Sequence, residues 1–229
     1  MKQDRESPSI GFSRRLTDGE SNPFTLVEWE KRDVTITNWQ DDSIVFEQKD
    51  VEFPTVWSFN ASNIVTQKYF WGALDSEHRE KSLKDLLNRV VNQIVNWGDE
   101  GRYFASNDEK GVFADELMSL LLLQKASFNS PVWFNIGVPD TPQQSSACFI
   151  LSVDDTIDSI LNWYVEEGKI FKGGSGSGAN LSRIRASSEE ISGGGSPSGP
   201  VSFMRGADAS AGTIKSGGTT RRAAKMVML

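Results

Sequence analysis

The chain has 229 residues, of which 38% are hydrophobic and 10% aromatic, enough to build one or two domains around a sizeable core. Its net charge of −7 argues against nucleic-acid binding through a broad basic surface, because such binding works by lysine and arginine displacing counterions; any phosphate site must be local. With Cys148 the sole cysteine and His78 the sole histidine, an intrachain disulfide, a cysteine zinc site and a histidine metal cluster are all excluded, and no metal ligand is assigned.

The N-terminal region is charged and polar, and nowhere does an apolar run reach the ~18 residues of a membrane span. A cytoplasmic protein with no membrane partner is expected. Residues 1–22 combine Asp4, Arg5, Glu6, Arg14, Arg15, Asp18 and Glu20 with few large apolar groups. They are expected to form a mobile tail, since they bury too little to offset their ordering entropy. Alternation around Val34 and Ile36, and again from Ile44 to Phe46, predicts two strands joined by a turn at Asp41 and Asp42. From about residue 77 to 97, Leu83, Leu86, Leu87, Val90, Val91, Ile94 and Trp97 recur at the spacing of one helical face, with Gly98 and Gly101 as its end. A second helix is expected over about 112–126, with the four leucines 120–123 buried on most sides and Pro131 barring any continuation.

Ile150, Leu151 and Val153 then read as a buried strand, after which Asp155 is placed to cap a helix carrying Ile157, Ile160, Leu161, Tyr164 and Val165. The glycine-rich segments 173–178 and 193–199 read as loops. Pro200 opens a helix with Val201, Phe203, Met204, Ala207 and Ala211 that ends before Gly217 and Gly218. Residues 221–229 rise in apolar content as though entering a strand, as expected of a fragment, a split-gene product or an interrupted reading frame.

Gly174, Gly176, Gly178 and Ala179 fit the loose dinucleotide-binding pattern, in which glycines let the backbone approach phosphate. A helical pattern precedes them where a strand is needed, and Glu189 and Glu190 come too soon for the ribose-binding acid about 20 positions on. A flexible loop is therefore expected. It could still offer N–H groups to a phosphate, with Arg183 and Arg185 as cations downstream; alternatively these arginines pair with Glu189, Glu190 or other surface carboxylates. Lys215, Arg221, Arg222 and Lys225, around Gly217, Gly218, Thr219 and Thr220, form a second cluster, open to a nucleotide contact or to a solvated turn. Cys148, next to an apolar strand, is by residue chemistry alone an inert buried thiol.

Several stretches together resemble the adenosylcobalamin-dependent, class II ribonucleotide reductases, from about Glu28 to Leu229. They are residues 27–33 (VEWEKRD), 45–54 (VFEQKDVEFP), 129–135 (NSPVWFN), 146–150 (SACFI), 174–185 and 216–228. The resemblance implies an α/β fold: an α+β N-terminal helical region leading into the first part of a ten-stranded α/β barrel, left incomplete. The domains implied are the tail 1–22, a mixed, mainly helical region 23–128, and the start of the barrel with its effector loops, 129–229.

The same resemblance implies an enzyme, a vitamin B12-dependent ribonucleoside-diphosphate reductase converting ribonucleotides to 2′-deoxyribonucleotides for DNA synthesis, with adenosylcobalamin as cofactor. Cys148 is then the upstream member of the redox pair that reduces the ribose 2′ position, its partner and the thiyl-radical cysteine lying further along than Leu229. Ser130, Ala147, Cys148 and Gly176 inherit substrate contacts, with Ser130 on the phosphate. Asp155, Thr156, Ile157 and Arg185 inherit the site for a deoxynucleoside triphosphate or ATP effector, and Gly217, Gly218 and Arg221 the loop relaying effector identity to the substrate base. Expected partners are the ribonucleotide, the effector, the C-terminal remainder of the reductase and a second copy in a homodimer. The alternative is a stand-alone nucleotide-binding or dimerisation module without catalysis.

Overall fold

A computed structural model describes residues 10–214 and 223–229. The chain divides into two compact units, Met1–Gln143 and Gln144–Leu229. No helix among the described residues is long and apolar enough to cross a membrane.

The first unit begins its regular structure with the expected hairpin. Strands β1 (Trp29–Thr37) and β2 (Ile44–Pro54) pair antiparallel from Trp29 opposite Pro54 to Thr37 opposite Ile44, with Asp42 at positive φ in the turn. Their inward residues Val34, Val51 and Phe53 are fully buried, and helix α1 (Phe59–Lys68) follows. Helix α2 (Leu83–Glu100) lays Leu83, Leu86, Leu87, Val91 and Val95 into the same core, as the periodicity requires. It starts later than residue 77 because the preceding residues serve other partners. The Arg79 guanidinium donates to the carbonyls of Phe70 and Thr66, both at 2.6 Å, Glu80 pairs with Arg89 at 2.6 Å, and Ser82 with Asp85 forms a capping box. At the other end Gly101 is the C-cap, whereas Gly98 stays inside the helix, where a Cβ would meet the Phe104 ring at 2.6 Å.

Helix α3 (Asn107–Leu122) begins earlier than the apolar pattern suggested, capped by Ser106, and buries Leu121 and Leu122 while Leu120 and Leu123 are half-buried. It also holds part of the expected tail. Glu109 accepts from the Phe12 N–H, Glu116 from the N–H groups of Leu16 and Thr17, and Asp115 pairs with Arg14 at 2.7 Å, while the Phe12 ring packs on Phe104 and Phe113, so residues 12–17 are held by carboxylates and one aromatic anchor. The short helix α4 (Ser130–Asn135) has Asn129 as its cap and Pro131 in its first turn. It lies in the first unit, although the sequence assigned it to the domain beginning at 129.

The second unit is a parallel sheet with helical crossovers. Strand β3 (Cys148–Ser152), helix α5 (Ile157–Lys172), strand β4 (Gly176–Asn180), helix α6 (Gly199–Thr213) and strand β5 (Lys225–Met228) give the strand order β3-β4-β5, all parallel. Helix α5 turns Ile160, Trp163, Ile170 and Phe171 inward, and α6 contributes Ala207 and Ala211. The three strands form an open sheet, the start of an α/β barrel rather than a closed one.

Half of the glycine-rich segment 173–178, expected as a loop, belongs to the central strand. Glycine weakens a strand unless backbones or side chains must come close, and here they do. A Cβ on Gly178 would stand 2.9 Å from Ile150 Cδ1, and one on Gly176 would stand 3.3 Å from the Ala224 carbonyl oxygen. The second glycine run, expected as a loop over 193–199, is one from 193 to 198, with Gly194 and Gly195 at positive φ, and Gly199 already begins α6.

Candidate functional site

Cys148 opens β3 directly opposite Gly176 on β4, and the Gly176 N–H donates to the Ala147 carbonyl at 2.8 Å. The three residues that the sequence placed at the substrate are thus one cluster at the start of two adjacent strands. The thiol is exposed, which contradicts the inert buried form favoured by residue chemistry alone. A Cβ on Gly176 would lie 3.6 Å from the Cys148 sulfur, so glycine there keeps one flank of the thiol clear. The fourth residue, Ser130, is the first of α4 in the other unit, its Oγ 2.9 Å from the Tyr69 phenol oxygen.

The four residues expected at the effector come together. Asp155, Thr156, Ile157 and Arg185 line one open cavity of about 300 Å³, together with Ile160, Ile184, Phe203 and residues 196–199 at the start of α6. Thr156, not Asp155, caps α5, its hydroxyl accepting from the Ser159 N–H at 3.2 Å. Asp155 instead pairs with Arg185 at 2.5 Å, and the two side chains are 28% and 38% exposed. Arg183 pairs likewise with Asp154 at 2.7 Å, so both arginines meet surface carboxylates, but not those the sequence singled out; Glu189 turns back to the Ala186 N–H. At α6, Ser198 makes no side-chain cap. The cavity therefore meets the N-terminal ends of two helices, where the dipole and N–H groups favour an anion, together with an arginine held by a partly exposed ion pair.

Of the second basic cluster, Lys215, Arg221 and Arg222, with Gly217 and Gly218, lie outside the described residues. Lys225 is neither a solvated turn nor a free cation: on β5 its ammonium meets the buried Glu167 carboxylate at 2.8 Å, and Glu167 also accepts from Ser177 Oγ at 2.8 Å. Nothing in the sequence flagged this group. Glu167 sits among the buried Ile160, Trp163, Ile170 and Phe171 of α5, an acid on an otherwise apolar face, and that placement was the signal available. The Tyr69–Ser130 contact was equally hidden, because it joins positions far apart in the chain.

Comparison with known proteins gives these features a family. Residues 30–73 and 71–124 match the model described as class II vitamin B12-dependent ribonucleotide reductase, and residues 146–229 match the ribonucleotide reductase barrel domain. The second match covers the unit that holds the parallel sheet. Vitamin B12-dependent ribonucleotide reductases of Streptomyces coelicolor and Streptomyces clavuligerus are each 64% identical, over 91% and 100% of this chain but only 21% and 24% of their own lengths. The one from Rhodopirellula baltica is 41% identical over 95% of this chain and 24% of its own. The chain thus spans about a quarter of the length of these relatives. It belongs to the class II, vitamin B12-dependent ribonucleotide reductases.

Cobalamin is the cofactor this family implies. Neither the cavity at Asp155 nor the apolar one of about 300 Å³ between α1 and α2 has room for a corrin with its nucleotide tail.

Proposed function

We propose that this chain gives a ribonucleotide reductase its allosteric nucleotide site and one of the two thiols that reduce the ribose. The observation that carries this is the single cavity shared by Asp155, Thr156, Ile157 and Arg185. A nucleotide's phosphates compete with Asp155 for the Arg185 guanidinium, an exchange made easy by a partly exposed pair that is worth little by itself. The freed Asp155 carboxylate then accepts from the sugar or base, while the start of α5 offers its N–H groups. Gly217, Gly218 and Arg221 keep their proposed relay role on the resemblance alone.

At the other cluster, Cys148 and a second cysteine thiol each give up a hydrogen; the ribose C2′–OH bond becomes C2′–H, one disulfide forms and water leaves. Exposure of Cys148 and the clear flank at Gly176 support this role. Ser130 takes the substrate phosphate, with Ala147 and Gly176 beside the ribose. Helix α5 also leaves Ile157, Leu161 and Val165, spaced one turn apart, more than half exposed, which supports a self-complementary contact in a cytoplasmic homodimer.

A chimera tests this directly: the Streptomyces clavuligerus reductase with its matching quarter replaced by this chain. Effector-dependent reduction of ribonucleotides, with cobalamin and a dithiol present, is expected. A folded chimera that binds nucleotide effector without any turnover would favour the stand-alone binding module instead.

A further inference from the structure

Ser130 does not stand alone. Its hydroxyl lies 2.9 Å from the Tyr69 phenol, and one buried guanidinium bonds the Tyr69 backbone and the backbone of the helix that Ser130 opens. Arg89 donates to the carbonyls of Tyr69 at 3.3 Å, Trp133 at 3.0 Å and Ile136 at 2.7 Å, so it ties the end of α1 to the body and end of α4. Its charge is met by Glu80 at 2.6 Å, and both side chains are under a tenth exposed. Glu80 is anchored in turn by the Trp71 N–H at 2.8 Å. A contact held at both ends in this way is built rather than a chance meeting of two surface hydroxyls.

Hydroxyl bookkeeping gives the contact a direction. Serine has one proton to donate and two lone pairs, and tyrosine has one proton. If Ser130 donated to Tyr69, its own proton would be used and an anion would be met by the phenol instead, which does not fit a serine on the phosphate. If Tyr69 donates, the Ser130 proton is left for a phosphate oxygen, and the two bonds polarise each other in the same sense.

We infer that the Tyr69 phenol is a positioning group for Ser130, donating to its Oγ so that the serine hydroxyl points its proton at the substrate phosphate, with the Arg89–Glu80 pair holding both residues in register. This rests on the assignment of Ser130 to the substrate phosphate proposed above. Tyr69 acts through Ser130 and makes no contact with the reacting atoms.

The test uses the chimeric reductase and compares Tyr69→Phe, Ser130→Ala, the double variant and Ser130→Thr. Ser130→Ala is expected to raise KM for the ribonucleotide about tenfold, and Tyr69→Phe about threefold to tenfold, the range for a charged and a neutral hydrogen bond respectively. The KM effect of Tyr69→Phe exceeds its effect on kcat, the double variant is no worse than Ser130→Ala, and Ser130→Thr, which keeps the hydroxyl, restores KM. Replacing Tyr69 by a ring-fluorinated tyrosine, a stronger donor of nearly the same shape, lowers KM below the parent value. It serves also as the deciding measurement if Tyr69→Phe does not fold. Two outcomes overturn the Tyr69 role alone: a raised KM in Ser130→Ala with a parental KM in Tyr69→Phe or the fluorinated protein, or single-variant effects that multiply in the double variant. A parental KM in Ser130→Ala overturns the phosphate assignment as well.

Discussion

Cys148 and Gly176 stand opposite each other on adjacent parallel strands, with room for a side chain at 176 only 3.6 Å from the sulfur and 3.3 Å from a backbone carbonyl. Glycine at 176 leaves that flank of the thiol open, which can be read as reactivity on the chain itself. In the folded protein, Cys148 reacts with one equivalent of an aromatic disulfide reagent without denaturant. Gly176→Val slows that reaction several-fold by filling the flank of the sulfur. A thiol that reacts only after unfolding, or one whose rate is indifferent to the Gly176→Val substitution, would contradict the exposed cluster.

Reduction of ribose in this way consumes two thiols, and the chain has one cysteine. The 229-residue chain alone is therefore expected to form no deoxynucleotide, with or without cobalamin. In the chimeric reductase, Cys148→Ser abolishes multiple turnover while effector affinity stays near the parent's. Normal turnover of Cys148→Ser with an external dithiol would return Cys148 to a structural role.

The sheet of the second unit is fastened by a buried ion pair. Glu167 and Lys225 are 3% and 16% exposed at their side chains, and removal of one partner leaves the other charge buried without its counterion. Such a loss costs about 3–5 kcal/mol, whereas replacing both with apolar groups costs much less. Urea unfolding should accordingly show Glu167→Leu strongly destabilised and Glu167→Leu with Lys225→Met largely recovered. Equal stability of the single and double variants would show that the pair does not hold β5.

Attachment of residues 12–17 depends on pH. Burial pushes the Glu116 carboxyl up, but hydrogen bonds from the Thr17 hydroxyl and from the N–H groups of Leu16, Arg15 and Thr17 outweigh it and hold the pKa below the ordinary 4.5. A depressed carboxylate contributes its stabilisation above the unfolded-state pKa and loses it as pH falls through the folded-state value. Amide exchange at Leu16 and Thr17, corrected for its intrinsic pH dependence, should rise relative to α2 as the pH falls through the depressed value of Glu116, and Glu116→Gln should raise it at neutral pH. Protection that is flat with pH would separate the segment from Glu116.

How far the sequence reached differs from element to element. The hairpin and the inward face of α2 were legible because alternation and three-to-four spacing report burial directly; β3 and α5 followed from a short apolar run and a polar start, but the strand expected to be buried is not, with Ile150 84% exposed and only Val153 just past its end fully buried. The Gly176–Asn180 strand was not, since its glycines answer to the Cys148 sulfur, Ile150 and the Ala224 carbonyl, all supplied by neighbouring strands. Asp155 and Thr156 are equally good caps on paper, and only the reach of Arg185 across 30 positions decides between them. Residues 12–17 looked too polar to order, yet three carboxylates on α3 hold them. The candidate effector residues were reached through family resemblance rather than composition, and what the sequence lacked was their shared cavity. Tyr69, Arg89 and Glu167 act through long-range contacts that no local pattern carries.

The most direct test of the allosteric site is calorimetric titration of the chimeric reductase with deoxynucleoside triphosphates, comparing the parent with Asp155→Ala, Arg185→Ala and a control at Lys110, whose ammonium meets Asp99 within the first unit. A lost charged hydrogen bond costs about 1.5–3 kcal/mol, so Asp155→Ala and Arg185→Ala should each bind effector at least about tenfold more weakly and lose the effector-driven change in base preference, while Lys110→Ala binds as the parent does. Parental affinity in both Asp155→Ala and Arg185→Ala would contradict the account and move the effector away from this cavity.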